Sequence, residues 1–169
     1  MKRILISGLL LLTGCPGYAR RTIVVDLENE SATIRWVLEG ADVYDYNTIV
    51  NDYVRGDTLN QEHPGWTIET KRLEPVGDEL HGVAELTFSG AGDVGITRAV
   101  RSDYALRFCP GANEMVKAAN AQARTPSGCV LWKEGVKVLR IETVTRGHEN
   151  RSSLLKWYEA DDDRPEAKS

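Results

Sequence analysis

Two stretches near the start of the chain, 22–28 and 32–39, alternate between apolar and polar residues. A period of two residues places every apolar side chain on one face of a β-strand, whereas a helix would spread the same residues around its axis. The apolar positions are Ile23, Val25 and Leu27 in the first stretch and Ile34, Trp36 and Leu38 in the second. Turn-forming residues at 29–31 separate the stretches, so the pattern predicts a β-hairpin with one buried face.

The rest of the chain mixes strand-like and helix-like segments. The predicted strands are 66–74, 80–88, 104–109, 129–132 and 136–145, the last two forming a hairpin around 133–135. The predicted helices are 45–56, capped by Asp45 and Gly56, 113–124, with Met115, Val116, Ala119 and Ala123 on its inner face, and a short one at 152–159. Many strands with few helices predict an α+β fold, in which two or three helices pack on one face of an antiparallel sheet of about six to eight strands.

Length and charge narrow the class further. A chain of 169 residues has room for one core, which we place in a single domain at 22–159. Residues 160–169 are polar and predict a disordered acidic tail. The formal charge of −4 and the isoelectric point near 5.4 argue against a nucleic-acid partner, because phosphate binding needs a basic surface.

Residues 1–14 have the character of an export signal. Lys2 and Arg3 precede the apolar stretch 4–12, which is too short to span a bilayer. The stretch leads into Leu12, Thr13, Gly14 and Cys15, a series that resembles the lipobox of bacterial lipoproteins. The resemblance implies that the Cys15 thiol receives a diacylglyceryl group, that a signal peptidase removes residues 1–14, and that the new amine of Cys15 is acylated.

A lipidated Cys15 implies a membrane anchor in the bacterial cell envelope, joined to the domain by a short tether, 15–21. Position 16 is Pro, whereas Asp at that place retains enterobacterial lipoproteins in the inner membrane, so we prefer the periplasmic side of the outer membrane. Two alternatives stay open. One is an ordinary signal peptide cut after Ala19, and the other is a buried N-terminal helix of the domain, against which the charged start of the chain argues.

If Cys15 carries lipid, Cys109 and Cys129 remain as an even pair. An even pair in an oxidising compartment favours a disulfide. Neither cysteine has a Cys-x-x-Cys partner or a nearby histidine, which argues against a metal site. The alternative is a catalytic cysteine that works with His148, but an oxidised pair would leave no thiolate to attack a substrate.

Several motifs point to chemistry only weakly. Residues 90–95 match the Gly-x-Gly-x-x-Gly pattern of dinucleotide sites, but the strand before them carries polar residues and the segment after them is short for a crossover helix. We therefore interpret them as a glycine-rich hairpin loop. His63, His81 and His148 lie in different predicted elements without metal-ligand spacing, and the acidic run 161–163 is typical of a solvated terminus. The sequence predicts no catalytic, metal-binding or cofactor-binding residues.

Aromatic residues cluster around the first predicted helix and its exit loop. Tyr46 and Tyr53 share the core face of that helix, whereas Tyr44 and Trp66 are free to form a recognition surface. The sequence therefore predicts a non-enzymatic envelope lipoprotein whose domain binds or scaffolds another envelope component, expected to be a protein. The alternatives are a small envelope hydrolase that uses carboxylates or His148, and a carrier of a hydrophobic ligand held between helix and sheet.

Overall fold

The computed structural model describes residues 18–39, 50–56, 58–77, 79–100 and 103–147. Its strands are β1 (Tyr18–Asp26), β2 (Ser31–Glu39), β3 (Trp66–Val76), β4 (Glu79–Phe88), β5 (Ile96–Arg98), β6 (Leu106–Phe108), β7 (Glu114–Ala119), β8 (Ala123–Arg124), β9 (Val130–Trp132) and β10 (Val138–Thr145). The helical segments are a π-helical turn (Val50–Arg55), the short α-helix α1 (Thr58–Glu62) and a 3-10 helix (Ala91–Val94).

The strands form two antiparallel sheets. The larger, sheet A, has six strands in the order β3-β4-β2-β1-β10-β7, and the smaller, sheet B, has four in the order β5-β6-β9-β8. The predicted hairpin 22–39 is confirmed, since β1 pairs with β2 in a register that sets Ile23 opposite Ile34. The predicted strands at 66–74 and 80–88 are confirmed as β3 and β4, which pair along their length.

One face of sheet A, the inner face, packs with sheet B around a common core. Sheet A supplies buried side chains such as Ile34 and Ile141, and sheet B supplies Phe108 and Trp132, which is fully buried. The strand residues that point the other way form the outer face of sheet A. The core therefore lies between two sheets and is closed at one side by Leu59 of α1 and Val94 of the 3-10 helix.

The predicted α+β class is wrong. Among the described residues the protein is built mostly of antiparallel strands in two sheets, and a second sheet covers the core where helices were expected. The described part of the predicted helix 45–56 is helical, as the π-helical turn, whereas 45–49 and the predicted helix 152–159 lie outside the described residues, as does the predicted tail 160–169.

The largest error concerns 113–124, where the structure has β7 and β8 instead of a helix. The spacing of Val116 and Ala119 suits a helix, but in β7 these residues lie opposite Thr143 and Ile141 of β10. β10 would otherwise expose its backbone N–H and C=O groups along one side, and pairing with β7 satisfies them. Tertiary hydrogen bonding thus overrides the local pattern.

The link between β9 and β10 and the start of β1 also differ from expectation. Residues 129–132 and 136–145 do form β9 and β10, but β9 belongs to sheet B and β10 to sheet A, so they are not a hairpin. β1 begins at Tyr18, whereas the alternation predicted a start at 22. Part of the expected tether is therefore a paired strand, with Tyr18 opposite Leu38.

Candidate functional site

A cleft of about 500 Å³ opens on the inner face of sheet A beside sheet B. We call it the Trp66 cleft, and its described lining residues are Arg21, Ile23, Ile34, Trp36, Leu59, Glu62, His63, Trp66, Gly92, Asp93, Val94, Gly95, Phe108 and Cys109. Its floor consists of apolar core side chains of both sheets, and its rim carries the charged and polar groups. This volume lies within the usual range of ligand sites.

Trp66 stands at the rim, at the first residue of β3. Its indole Nε1 donates a hydrogen bond of 2.8 Å to the carbonyl oxygen of Asp93. The ring of His63 stacks on it with centroids 3.8 Å apart and an interplanar angle of 13°. These two contacts hold a half-buried aromatic ring in one orientation, as a preorganised recognition site requires.

Gly65 makes this arrangement possible. A Cβ at this position would lie 2.3 Å from Cγ of Asp93, so no other residue fits without displacing the carboxylate. Asp93 in turn accepts the backbone N–H of Gly90 at 3.0 Å through Oδ2. Gly65 is therefore the place where the chain just before β3 comes into close contact with the 90–95 loop.

The 90–95 loop has a structural role in the cleft. Residues Ala91–Val94 form a 3-10 helix, and Gly95 follows with a positive φ of 79° that favours glycine. The loop connects β4 of sheet A to β5 of sheet B, so it is a bridge between sheets and not the predicted hairpin loop. A strand follows it, whereas the dinucleotide motif requires a long helix at that point.

The basic side chain of the rim, Arg21, is paired with a carboxylate. The Arg21 guanidinium lies 2.8 Å from a carboxylate oxygen of Glu114. Burial lowers the pKa of His63 below its ordinary value of 6.5, the neighbouring Glu62 raises it partly back, and Arg21 lowers it further. His63 is therefore neutral at pH 7 and offers a ring nitrogen as donor or acceptor next to the aromatic surface.

The predicted disulfide is present in the structure. The sulfur atoms of Cys109 and Cys129 are 2.09 Å apart and their Cα atoms 4.2 Å apart, and Cys109 lines the cleft. Since both sulfurs are bonded, this part of the cleft has no thiolate nucleophile. The pair joins the end of β6 to the start of β9 and so stabilises one wall of the cleft.

The structure places the residues proposed from the sequence as follows. Trp66 and Cys109 meet at the cleft, while Cys15, Tyr44 and His148 lie outside the described residues. Sequence reasoning missed Arg21, His63 and Asp93 as neighbours of Trp66. The aromatic residue at the start of a strand, directly after Pro64-Gly65, is the only local signal that could have drawn attention to this place.

The outer face of sheet A holds charged residues that the alternating pattern would leave in water. Arg20, Arg35 and Glu142 are at most 6% exposed. The guanidinium of Arg20 lies 2.9 Å from Oε1 of Glu79, whose Oε2 is 2.9 Å from Nε2 of His81. A second concavity, of about 510 Å³, lies at one end of this face and includes Asp26, Glu85 and Arg140.

Three further observations bear on the site. Among the described residues, no group of three or more His, Cys, Asp or Glu side chains is arranged to hold a metal ion. In the same part of the chain, no helix combines the length and apolar character needed to cross a membrane. The chain matches no protein-family model, and it has no significant match among curated proteins or solved structures.

Proposed function

We propose that this protein is a lipid-anchored component of the bacterial cell envelope and that it binds another envelope component, a protein, without catalysing a reaction. The lipid is attached at Cys15, and the Trp66 cleft is the binding site. The observation that carries the proposal is the half-buried Trp66, held by Asp93 and His63 at the rim of a cleft with an apolar floor.

The chemistry of the cleft suits a protein partner. Interfaces draw most of their affinity from a few rigid aromatic and arginine side chains beside apolar pockets, with a polar rim around them. The cleft combines Trp66 and Arg21 with an apolar floor that includes Phe108, and with the acidic rim residues Glu62 and Asp93. An apolar side chain of the partner would occupy the floor while its polar backbone contacts the rim.

The anchor rests on the lipobox-like series that ends at Cys15. The disulfide supports it indirectly, because disulfides persist in the oxidising compartments outside the cytoplasm. With more than one acyl chain on Cys15, attachment to a membrane is stable, since each buried methylene contributes about 0.8 kcal/mol.

The anchor is tested by replacing its thiol. The full chain, expressed in a bacterium that processes lipoproteins, should enter the detergent phase on phase separation, whereas Cys15→Ser should stay in the aqueous phase. Mass spectrometry should find the acyl chains on Cys15 of the wild-type protein. The control is Cys109→Ser with Cys129→Ser, which retains Cys15 and should still enter the detergent phase. Equal partitioning of Cys15→Ser and wild type would refute the anchor.

The cleft is tested in the intact envelope. A photo-crosslinking residue at the exposed rim position Glu62 should give a discrete protein adduct, and the same residue at the exposed Lys133, outside the cleft, should not. Trp66→Ala should abolish the adduct at position 62. Trp66→Phe, which retains an aromatic ring but loses the hydrogen bond to Asp93, should reduce it. Adducts of equal yield at both positions, or an adduct that persists in Trp66→Ala, would contradict the assignment.

A second candidate is a carrier of a hydrophobic ligand, which the apolar floor of the cleft favours. A bound acyl chain would contact Ile23, Ile34 and Phe108 and direct its polar head to the rim. Native mass spectrometry of the Cys15→Ser protein would reveal a co-purifying lipid as an added mass that Leu59→Trp, which fills the cleft, removes. No added mass, together with no binding of a fluorescent fatty acid, would exclude this candidate.

A further inference from the structure

The lipid anchor and the start of β1 lie very close together along the chain. β1 begins at Tyr18, and only Pro16 and Gly17 separate Tyr18 from Cys15. Three extended residues span at most about 11 Å. The lipidated residue must therefore lie within about 11 Å of the backbone at which sheet A begins.

The topology makes this short distance significant, because β1 is an interior strand of sheet A, between β2 and β10. Both neighbours, β2 and β10, end where β1 begins, since Tyr18 lies opposite Leu38 and Arg20 opposite Val144. We call this the anchor end of sheet A, formed by Tyr18, Leu38, Glu39, Val76, Glu79, Glu114, Met115 and Thr145. The opposite, distal end is formed by Asp26, Ser31, Trp66, Phe88 and Val138.

We propose that the anchor end of sheet A rests against the headgroups of the phospholipid bilayer, with the strands directed away from the membrane and Trp66 at the distal end. The proposal depends on the lipid anchor of the proposed function and adds an orientation to it. β1 is nine residues long, so at about 3.4 Å per step its two ends lie about 27 Å apart. The cleft would then run along the inner face of sheet A, from Arg21, which is paired with Glu114 of the anchor end, to Trp66 at the distal end.

Each corner of the anchor end carries an exposed apolar side chain; Val100, after β5, and Val138, at the distal end, are exposed as well. Val76 is 47% exposed and Met115 is 36% exposed, although large apolar side chains gain by leaving water. They belong to β3 and β7, the two outermost strands of the six-stranded sheet, so they mark its two corners about 24 Å apart. The exposed Arg146, directly after β10, adds a guanidinium that can bind lipid phosphate. A membrane that contacts both corners would hold the strands upright.

The chain offers a matched pair of positions for a test. Met115 and Val138 are both 36% exposed and both lie on the outer face of sheet A, but Met115 is at the anchor end and Val138 at the distal end. A genetically encoded fluorescent residue is placed at one or the other in the lipidated full chain. The protein is reconstituted in vesicles of phosphatidylethanolamine and phosphatidylglycerol that contain a lipid with a quencher on its headgroup. Since both side chains are exposed, neither replacement disturbs the core.

We expect quenching at position 115 to exceed that at position 138 by about threefold or more, because Met115 lies opposite Val144 of β10, which is about 20 Å along the strand from Val138. Insertion of a ten-residue Gly-Ser segment after Gly17 should lower quenching at 115 toward the value at 138 and leave flotation of the protein with the vesicles unchanged. Equal quenching at both positions in protein that floats, or stronger quenching at 138, would overturn the orientation and leave the anchor intact. Flotation of Cys15→Ser to the same extent as wild type would overturn the anchor, and the orientation with it.

Discussion

Among the described residues other than glycine, only Glu30 has a positive φ, which is 49°. It ends the turn between β1 and β2, in which Asp26 accepts the backbone N–H groups of Glu28 and Asn29 at 3.0 Å. Its carbonyl accepts the N–H of Phe88 at 2.9 Å. A left-handed conformation costs a residue with a Cβ about 1–2 kcal/mol, so the conformation of Glu30 destabilises the folded hairpin.

Replacing this residue should therefore stabilise the protein. We expect Glu30→Gly to raise the free energy of unfolding by about 0.5–1 kcal/mol, the relief of strain being partly offset by the greater freedom of glycine in the unfolded chain. Gly135→Ala is the opposite control. Its φ is 88° and a Cβ there would meet no atom within 4 Å, so it should lower stability by about 1 kcal/mol through the backbone alone. Urea titrations measure both, and a loss of stability in Glu30→Gly would contradict the argument.

His63 should make stability depend on pH. Its pKa is lowered in the folded protein from the ordinary 6.5, chiefly by burial, so the unfolded chain takes up a proton first as the pH falls. The contribution of neutral His63 is therefore complete above pH 6.5 and declines as the pH drops below it toward the folded-state pKa. Urea titrations between pH 8 and pH 5 should show this decline in wild type and a weaker one in His63→Gln.

His81→Gln is the control for loss of a histidine, since His81 contacts Glu79 on the other side of sheet A, and it should keep the decline that His63 causes. If His63→Gln and wild type decline equally between pH 6.5 and pH 5, the role of His63 is refuted.

A second decline in stability is expected at lower pH. Hydrogen bonds from Asn29 hold the pKa of Asp26 below 3.8, so stability from this group is present above pH 3.8 and is lost as the pH falls further.

At the scale of elements, the segment between the two cysteines is the most informative. It leaves sheet B at β6, supplies β7 to the edge of sheet A, and returns to sheet B through β8 and β9. Arg124 donates a hydrogen bond of 2.9 Å from Nη1 to the carbonyl of Val116, so a side chain satisfies a backbone acceptor of this outermost strand. The disulfide closes the excursion at its base, within sheet B, where it joins the paired strands β6 and β9.

Removal of the disulfide should destabilise the domain. With a sequence separation of 20 between the cysteines, loop closure in the unfolded state accounts for about 3 kcal/mol. We expect Cys109→Ser combined with Cys129→Ser to lower the free energy of unfolding by about that amount, and reductant to do the same to the parent protein while leaving the double variant unaffected. Urea titrations of both in a Cys15→Ser background measure it. A double variant as stable as its parent would show that the bond adds nothing to stability.

Asn120, just after β7, connects the two sheets. Its Oδ1 accepts hydrogen bonds from Nε1 of Trp132 in sheet B, at 3.0 Å, and from the backbone N–H of Arg140 in sheet A, at 2.9 Å. Its Nδ2 donates to the carbonyl of Val138 at 2.9 Å. Trp132 is fully buried, so its indole N–H depends on this acceptor.

Asn120→Ala should lower the free energy of unfolding by about 2–3 kcal/mol, because it leaves the N–H of Trp132 buried without a partner. Asn120→Asp retains the acceptor for Trp132 but sets a carboxylate oxygen against the carbonyl of Val138, so its cost should come from that contact and not from the indole N–H. A double-mutant cycle with Trp132→Phe, measured by thermal or urea unfolding, isolates the contact and should give a coupling of about 1 kcal/mol. Additive effects of the two replacements would mean that the hydrogen bond does not contribute.

At the scale of the whole molecule, the two sheets differ greatly in extent. β1 pairs on both sides over most of its length, whereas sheet B is built from strands of two or three residues. Few hydrogen bonds and contacts hold a short strand, so local opening costs less there. We expect the stability of the domain to decrease from the middle of sheet A toward the edges of sheet B.

Hydrogen exchange followed by mass spectrometry tests this expectation. Amides of β1 at 22–25 should exchange slowest, through global unfolding, and those of β5 and β8 should exchange fastest among the strands. Reduction of the disulfide should speed exchange in β6 and β9 more than in β1, because it ties these two strands together. Protection of sheet B equal to that of β1 would contradict the gradient.

The sequence identified strands where the pattern allowed one interpretation. Alternation at 22–28 and 32–39 fits a strand and no other element, and these segments form β1, which ends at Asp26, and β2. At 113–124 the same apolar residues fit a helix or a strand, and only the unpaired edge of β10 decided between them. Trp66 was recognised as a candidate, but its neighbours Asp93 and Arg21 come from distant parts of the chain, so no local pattern could place them beside it.

The amino-acid sequence by itself determined the alternating strands. It also predicted the Cys109–Cys129 disulfide, which the structure contains, but on the premise that Cys15 carries lipid. The export signal and the lipid anchor at Cys15 stay predictions. Only the tertiary structure decided which sheet each strand joined, why 113–124 extends instead of coiling, and which residues surround Trp66. The physical reason is that periodicity and residue chemistry act between near neighbours. Pairing between sheets depends on backbone groups and side chains that meet only once the chain has folded.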